Sequence, residues 1–330
     1  MIDWERSALR QEGHYMGTGM LLLIVAMQCT FTVVALLLHL LGIVDLRDPS
    51  GYMGLGNTGF LLLYAAVYAF CMGVPFVATD AAFRRHTRPF RPAKWPGAVT
   101  ALLYVAAGLG LCIFANYVAN YVLQFLSAFG IRPADSPSYL EGTGISLALN
   151  IFVVAVLPAL LEEMVFRGYI LQALRPFGNG TAMVVSSLLF ALMHGNLEQT
   201  PFAFIVGMTC SAIVIRTGCI WLSCAVHFLN NLMSVLLDYF TMEFSAHGQQ
   251  VVLISVFLAV ALIGLAAALL QNRRDCAAAA HTAPEPEKRP TCTLSCSAKT
   301  GALLSSPPFL LSLLFSLSLI LFNTIGGSLG

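Results

Sequence analysis

Long apolar runs, separated by short polar connections, dominate the 330-residue chain. A membrane-spanning helix needs about 20 predominantly apolar residues, and eight runs approach or exceed that length. They occupy residues 16–43, 53–79, 97–131, 144–161, 181–194, 201–215, 220–239 and 251–270. The fifth and sixth runs are short for a span. The pattern predicts an all-α fold, a polytopic transmembrane helix bundle with about eight spans.

The composition agrees with a membrane protein and excludes several other classes. Hydrophobic residues make up 58% of the chain and charged residues 10%, with a mean hydropathy of +0.80. Soluble domains average about 45–50% apolar and 25% charged residues. The formal net charge is only +1, so a nucleic-acid binder, which needs a basic excess, is not expected. We expect a multi-pass integral protein of the lipid bilayer, in the inner (plasma) membrane.

Positive charges between the runs predict the orientation of the bundle, because cytoplasmic connections carry an excess of Lys and Arg. If the N-terminus is cytoplasmic and there are eight spans, the basic connections all fall on the cytoplasmic side, and both chain ends lie there too. The residues concerned are Arg84, Arg85, Arg88, Arg91, Lys94, Arg167, Arg175, Arg216, Arg273 and Arg274.

Two adjacent carboxylates continue the fourth apolar run without a break, in the sequence ALLEEMVFRG. Glu163 and Arg167 are four residues apart, so they share a helix face and can form an ion pair. Glu162 lies about 100° round the helix from Glu163, so it is not placed to pair with Arg167. A carboxylate in such apolar surroundings suits a general base. The alternative is that both acids form a solvated helix end at the membrane surface.

Two histidines and an amide add polar groups to later apolar segments. His194 ends the stretch FALMH, where it is either a catalytic group or an interfacial helix cap. His227 and Asn231 are one turn apart on another apolar helix and face the same way. That pair either serves chemistry or joins two helices by hydrogen bonds.

Together, Glu162, His194, His227 and Asn231 suit the hydrolysis of an amide bond. A base must deprotonate water, and hydrogen-bond donors must stabilise the oxyanion of the tetrahedral intermediate. Alternatively, Glu162, His194 and His227 could bind Zn²⁺ with a water in the open position, so zinc is one option for a cofactor. The chain contains no HExxH motif and no paired intramembrane aspartates. These absences argue against an ordinary zinc protease and an aspartic protease.

Three motifs, in order, resemble those of the CPBP family, which contains the type II CAAX prenyl endopeptidases and the bacteriocin-immunity (Abi) proteins. EEMVFRG, FALMH and HFLNN match the patterns EExxxR, FxxxH and HxxxN. The resemblance covers about residues 145–240. It implies an intramembrane endopeptidase that hydrolyses a peptide bond near the cytoplasmic membrane face, by a glutamic or a metalloprotease mechanism. The implied substrate is a peptide or a membrane protein, prenylated or not.

The same resemblance implies roles for individual residues. Glu162 corresponds to the family's catalytic glutamate, with His194 helping to activate the water. His227 and Asn231 correspond to its oxyanion-side residues. Three further residues are expected to support the site: Glu163, Arg167 and Phe190. A non-enzymatic membrane immunity or scaffold protein that retains the pocket is the alternative function.

The chain divides into three parts. Residues 1–140 are expected to form N-terminal transmembrane helices, 141–272 a catalytic transmembrane core, and 273–330 a linker with an accessory C-terminal tail. The composition of residues 272–308, rich in Pro, Ala and charge, predicts disorder. The apolar stretch 309–322 is marginal in length for a span, so we expect it to be accessory and dispensable.

Overall fold

The computed structural model describes residues 2–90, 95–131, 144–281 and 292–329, and within these ranges every regular element is helical. The all-α bundle predicted from hydropathy is thereby confirmed. The α-helices, in chain order, are α1 (Ile2–Leu40), α2 (Gly56–Ala82), α3 (Ala98–Ser127), α4 (Gly144–Asn150), α5 (Leu157–Glu163), α6 (Leu171–Leu174), α7 (Asn179–Met193), α8 (Thr200–Thr217), α9 (Ile220–Thr241), α10 (Ala246–His281), α11 (Cys296–Leu304) and α12 (Pro307–Leu329).

The fourth apolar run is longer than predicted and is not a regular α-helix. It continues to Phe177, with π-helical turns after α4 and α5, at Ile151–Val156 and Met164–Ile170. Glu162 and Glu163 are the last two residues of α5, so they lie between the two π-helical turns. Such turns are rare and occur frequently at functional sites.

Eight helices in the described part of the chain are long and apolar enough to cross a membrane, which matches the predicted number but not the predicted set. The helix Asn179–Met193, which we expected to span, has 15 residues and is therefore only roughly 22 Å long. Pro307–Thr324 in the tail meets the criterion instead. The chain is a multi-pass integral membrane protein.

The C-terminal tail is packed into the bundle rather than attached to it as an accessory segment. The start of α12 approaches α1 so closely that a Cβ at Gly17 would overlap the backbone of Pro308 and Phe309. Ahead of α11, Thr293 donates to the carboxylate of Glu5 on α1 through its backbone N–H, at 3.0 Å, and its hydroxyl, at 2.8 Å. Length alone was a poor guide to this segment.

The serines of α12 lie inside its helix contacts. Ser312 and Ser316 are buried, and each hydroxyl donates to a carbonyl of the preceding turn. Such bonds satisfy the hydroxyl inside the helix, so these serines pack at helix contacts in a membrane. Of the stretch predicted to be disordered, residues 272–281 continue α10 and 296–304 form α11, while 282–291 lie outside the described residues.

We expect Gly17→Leu to prevent α12 from docking on α1 and to lower the yield of folded protein. Overpacking of a tight contact costs about 1–3 kcal/mol, and here the obstacle is backbone. Thermal unfolding in detergent measures the loss. Gly73→Leu is the matched control, because a Cβ at Gly73 meets no atom within 4 Å. Equal stability of the two variants would show that the tail does not need this contact, as would normal folding after truncation at Arg274.

Basic connections meet at one end of the bundle. Arg85, after α2, pairs with Glu12 of α1 at 2.6 Å. Phe90, a few residues further on, stacks on Trp221 at the start of α9 with 5.1 Å between ring centroids. This agrees with the predicted orientation, which stays a prediction. Two of the basic residues that predicted it lie outside the described ranges: Arg91 and Lys94.

Candidate active site

The two adjacent carboxylates are buried, with Glu162 5% and Glu163 0% exposed. This burial argues against the alternative of a solvated helix end. Each carboxylate has one oxygen, Oε2, that is buried without a hydrogen-bond partner among the described residues. Their other oxygens are bonded to different groups, so the two acids have different environments.

Glu163 forms the ion pair with Arg167 that the four-residue spacing predicts. Its Oε1 lies 3.0 Å from Nη1 of Arg167, and neither side chain is exposed. Nη2 of Arg167 donates to the carbonyl oxygen of Gly207 on α8 at 3.2 Å. The guanidinium also lies over the ring of Phe190 on α7, 4.6 Å from its centroid. The buried cation is therefore held by three separate segments.

His227 lies between the two carboxylates. Its Nδ1 is 3.0 Å from Oε1 of Glu163, and its Nε2 is 3.7 Å from Oε2 of Glu162. Because a carboxylate accepts hydrogen bonds, Nδ1 carries a proton in the shorter contact, which leaves Nε2 on the side of Glu162. Glu163 thus orients the imidazole as well as neutralising Arg167, a second contact that its spacing did not predict.

Glu162 is held by a tyrosine from the part of the chain in which no motif was recognised. The hydroxyl of Tyr68 on α2 donates to Oε1 of Glu162 at 2.5 Å. This leaves Oε2 as the unbonded acceptor, next to His227. Sequence reasoning missed Tyr68. The available signal was a tyrosine inside an apolar span, because a buried tyrosine hydroxyl usually finds a polar partner.

The ring of Phe190 contacts both histidines. Its centroid lies 5.1 Å from that of His194 and 5.9 Å from that of His227, in edge-to-face geometry. His194 follows the last residue of α7, is half-buried, and donates from Nδ1 to the carbonyl of Phe190 at 2.9 Å. No hydrogen bond joins His194 to Glu162 within the described ranges. The two predicted histidines therefore both contact the ring of Phe190.

Asn231 joins two helices, which is the structural role considered for it. Its Nδ2 donates to the carbonyl of Val154 at 2.9 Å, inside the first π-helical turn, and its Oδ1 accepts from Asn230 at 3.1 Å. A primary amide has two N–H groups. The predicted role at an oxyanion would use the second one.

The predicted zinc ligands do not converge. Across the described ranges, no group of three or more His, Cys, Asp or Glu side chains is arranged to hold a metal ion. Glu162 and His227 are close, but Nδ1 of His227 is bonded to Glu163. The aromatic contact of His194 is with the ring of Phe190. This arrangement does not fit Zn²⁺, so no chemical step is assigned to a metal.

The segment that carries the site is similar to known proteins. The family model described as "Type II CAAX prenyl endopeptidase Rce1-like" matches residues 144–233. The chain is 25% identical over 139 residues to "Putative membrane peptidase YdiL" of Bacillus subtilis (strain 168). That similarity covers 42% of this chain and 57% of the relative, so the chain spans little more than half of the relative's length. No solved structure matches.

The family match contains every site residue that was predicted from the sequence. Tyr68 and α12 lie outside it, so the contacts that they make are features of this chain rather than of the matched segment.

Proposed function

Because residues 144–233 match a family model described as a type II CAAX prenyl endopeptidase, we propose that this protein is an intramembrane endopeptidase. One observation carries the proposal. Of two buried carboxylates, Glu163 is bonded to a cation and an imidazole, whereas the hydrogen bond of Glu162 comes from an uncharged hydroxyl. Two carboxylates held in such different environments are expected to have different chemical roles.

Glu162 is the general base. Its Oε1 stays bonded to Tyr68, and its Oε2 accepts the proton of the water that attacks the peptide carbonyl. When the tetrahedral intermediate collapses, the C–N bond breaks and Glu162 returns that proton to the nitrogen, which leaves as an amine. Arg167 does not neutralise it, because that cation is already paired with Glu163. A positioned general base typically contributes 10²–10⁴-fold to the rate.

The two histidines each use Nδ1 to fix the orientation of the ring, so Nε2 is the nitrogen left for chemistry. His194 helps Glu162 to activate the water. His227, when protonated, donates from Nε2 to the oxyanion, and Glu163 stabilises the imidazolium through Nδ1. The second N–H of Asn231 adds an uncharged donor to the same oxyanion.

The substrate is a peptide or a segment of a membrane protein, cut near the cytoplasmic face. The position of His227 supports this, because it lies seven residues along α9, roughly 10 Å from the end that carries the basic connections. Prenylated peptides are the first substrates to test, since the matched family takes its description from them.

The proposal is tested with purified protein in lipid, assayed on a panel of prenylated and unprenylated peptides and membrane proteins. We expect His194→Ala to abolish cleavage. His247→Ala is the matched control, because His247 is exposed at the start of α10, away from the site. A zinc chelator is expected to leave the rate unchanged. Loss of activity that Zn²⁺ restores would instead assign the site to a metalloprotease.

Tyr68→Phe is expected to lower the cleavage rate roughly 10- to 100-fold while the protein stays folded. A hydrogen bond to a charged group is worth about 1.5–3 kcal/mol, and its loss frees the carboxylate of Glu162 to turn away. Tyr121→Phe serves as control, since the side chain of Tyr121 is 69% exposed. An unchanged rate in Tyr68→Phe would remove Tyr68 from the mechanism.

A further inference from the structure

A second site lies away from the carboxylates, where the start of α1 meets α11. A cavity of about 390 Å³ opens between these helices. Pockets of this size accommodate small ligands and headgroups. Its lining includes Arg6, Ser7, Arg10, Ala298, Gly301 and Ser305.

Two positively charged side chains of α1 line this cleft. Arg6 and Arg10 are four residues apart, so their positive charges share one face of α1, an arrangement that destabilises a helix when nothing compensates it. Neither forms an ion pair within the described part of the chain. Glu5 and Glu12 are engaged elsewhere: Glu5 accepts from Thr293, and Glu12 pairs with Arg85. Asp3 is exposed, and no ion pair joins it to either arginine within the described ranges.

Small residues on α11 keep the cleft open. A Cβ added at Gly301 would meet no heavy atom within 4 Å, although Gly301 lines the cavity. Ser7 adds a hydroxyl donor beside the arginines. Arginine forks and hydroxyls are the donors that bind phosphate oxygens in proteins.

An exposed tryptophan precedes the arginines of the cleft. Trp4, 72% exposed, lies two residues before Arg6, and tryptophan is enriched where a helix meets the headgroups. The basic connections gather at this end of the bundle. Cytoplasmic leaflets contain anionic lipids, whose headgroups bind basic pockets between helices.

We propose that the cleft between α1 and α11 binds the phosphate of an anionic phospholipid, with Arg6 and Arg10 as its charged ligands. The site is independent of the proposed peptidase activity. Because one wall of the cleft belongs to α1 and the other to α11, a bound lipid would hold the C-terminal tail against α1 at the surface of the leaflet.

The test uses the full-length protein in nanodiscs that contain phosphatidylglycerol or phosphatidylcholine, with retained lipid measured by native mass spectrometry. The wild type is expected to retain phosphatidylglycerol in preference. Arg6→Gln/Arg10→Gln should weaken that retention roughly 30-fold, since each basic residue at an anionic surface contributes about fivefold. Arg273→Gln/Arg274→Gln is the control, with the same change of charge on an exposed pair at the end of α10.

A steric variant tests the shape of the cleft separately from its charge. Gly301→Phe fills the cavity without altering either arginine, and it should lose phosphatidylglycerol as the double arginine variant does. Inorganic phosphate distinguishes the source of the anion: if phosphate binds in the absence of lipid and displaces phosphatidylglycerol, the site takes free phosphate and the lipid assignment fails. Equal retention of phosphatidylglycerol by wild type and Arg6→Gln/Arg10→Gln would overturn the proposal.

Discussion

Glu162→Gln is expected to abolish peptide cleavage, lowering kcat by about 10²–10⁴-fold. The replacement keeps the size of the side chain, and the amide oxygen can still accept the hydrogen bond from Tyr68. The amide nitrogen can face Nε2 of His227 where Oε2 of the carboxylate now lies. Only the proton-accepting oxygen is lost, so a loss of rate cannot be attributed to packing.

The measurement is single-turnover cleavage in lipid, accompanied by thermal unfolding of each variant. Glu198→Gln is the matched control, because Glu198 is an exposed carboxylate in the connection between α7 and α8. Full activity in Glu162→Gln would refute the peptidase mechanism. Absence of cleavage in the wild type as well, on every substrate class, would favour the non-enzymatic immunity or scaffold function.

Arg167→Ala is expected to lower the free energy of unfolding by about 3–5 kcal/mol, the usual cost of breaking a buried ion pair by removing one partner. It leaves the charge of Glu163 buried without the guanidinium that neutralises it, and leaves the carbonyl of Gly207 without its donor. It also removes the cation from the face of Phe190. We expect reduced folded yield together with lost activity.

Two variants make that expectation specific. Arg216→Ala is the control, since Arg216 lies 4.0 Å from Asp275 with both side chains largely exposed, and such surface pairs are worth about 0–1 kcal/mol. Glu163→Gln/Arg167→Met removes both buried charges and should be less destabilised than Arg167→Ala. If Arg167→Ala unfolds at the wild-type temperature, the pair does not stabilise the fold.

Features that depend on neighbouring residues could be predicted from the sequence. Run length and hydropathy predicted helices and membrane insertion, because a lipid-embedded backbone must satisfy its own hydrogen bonds. The spacing of Glu163 and Arg167 predicted their ion pair, because residues four apart share a helix face. Motif order pointed to a segment of about residues 145–240, and the family model matches residues 144–233.

Contacts between residues that are distant in the sequence could not be predicted in this way and are seen in the folded chain. Tyr68 and Glu162 are 94 positions apart, and Glu163 and His227 are 64 apart. The docking of α12 on α1 is similarly remote. In a soluble helix the apolar stripe marks the buried face, but a membrane helix is apolar on its lipid face as well. Hydropathy therefore does not predict which membrane helices pack against each other. The packing is selected by the close approach of small residues and by buried hydrogen bonds.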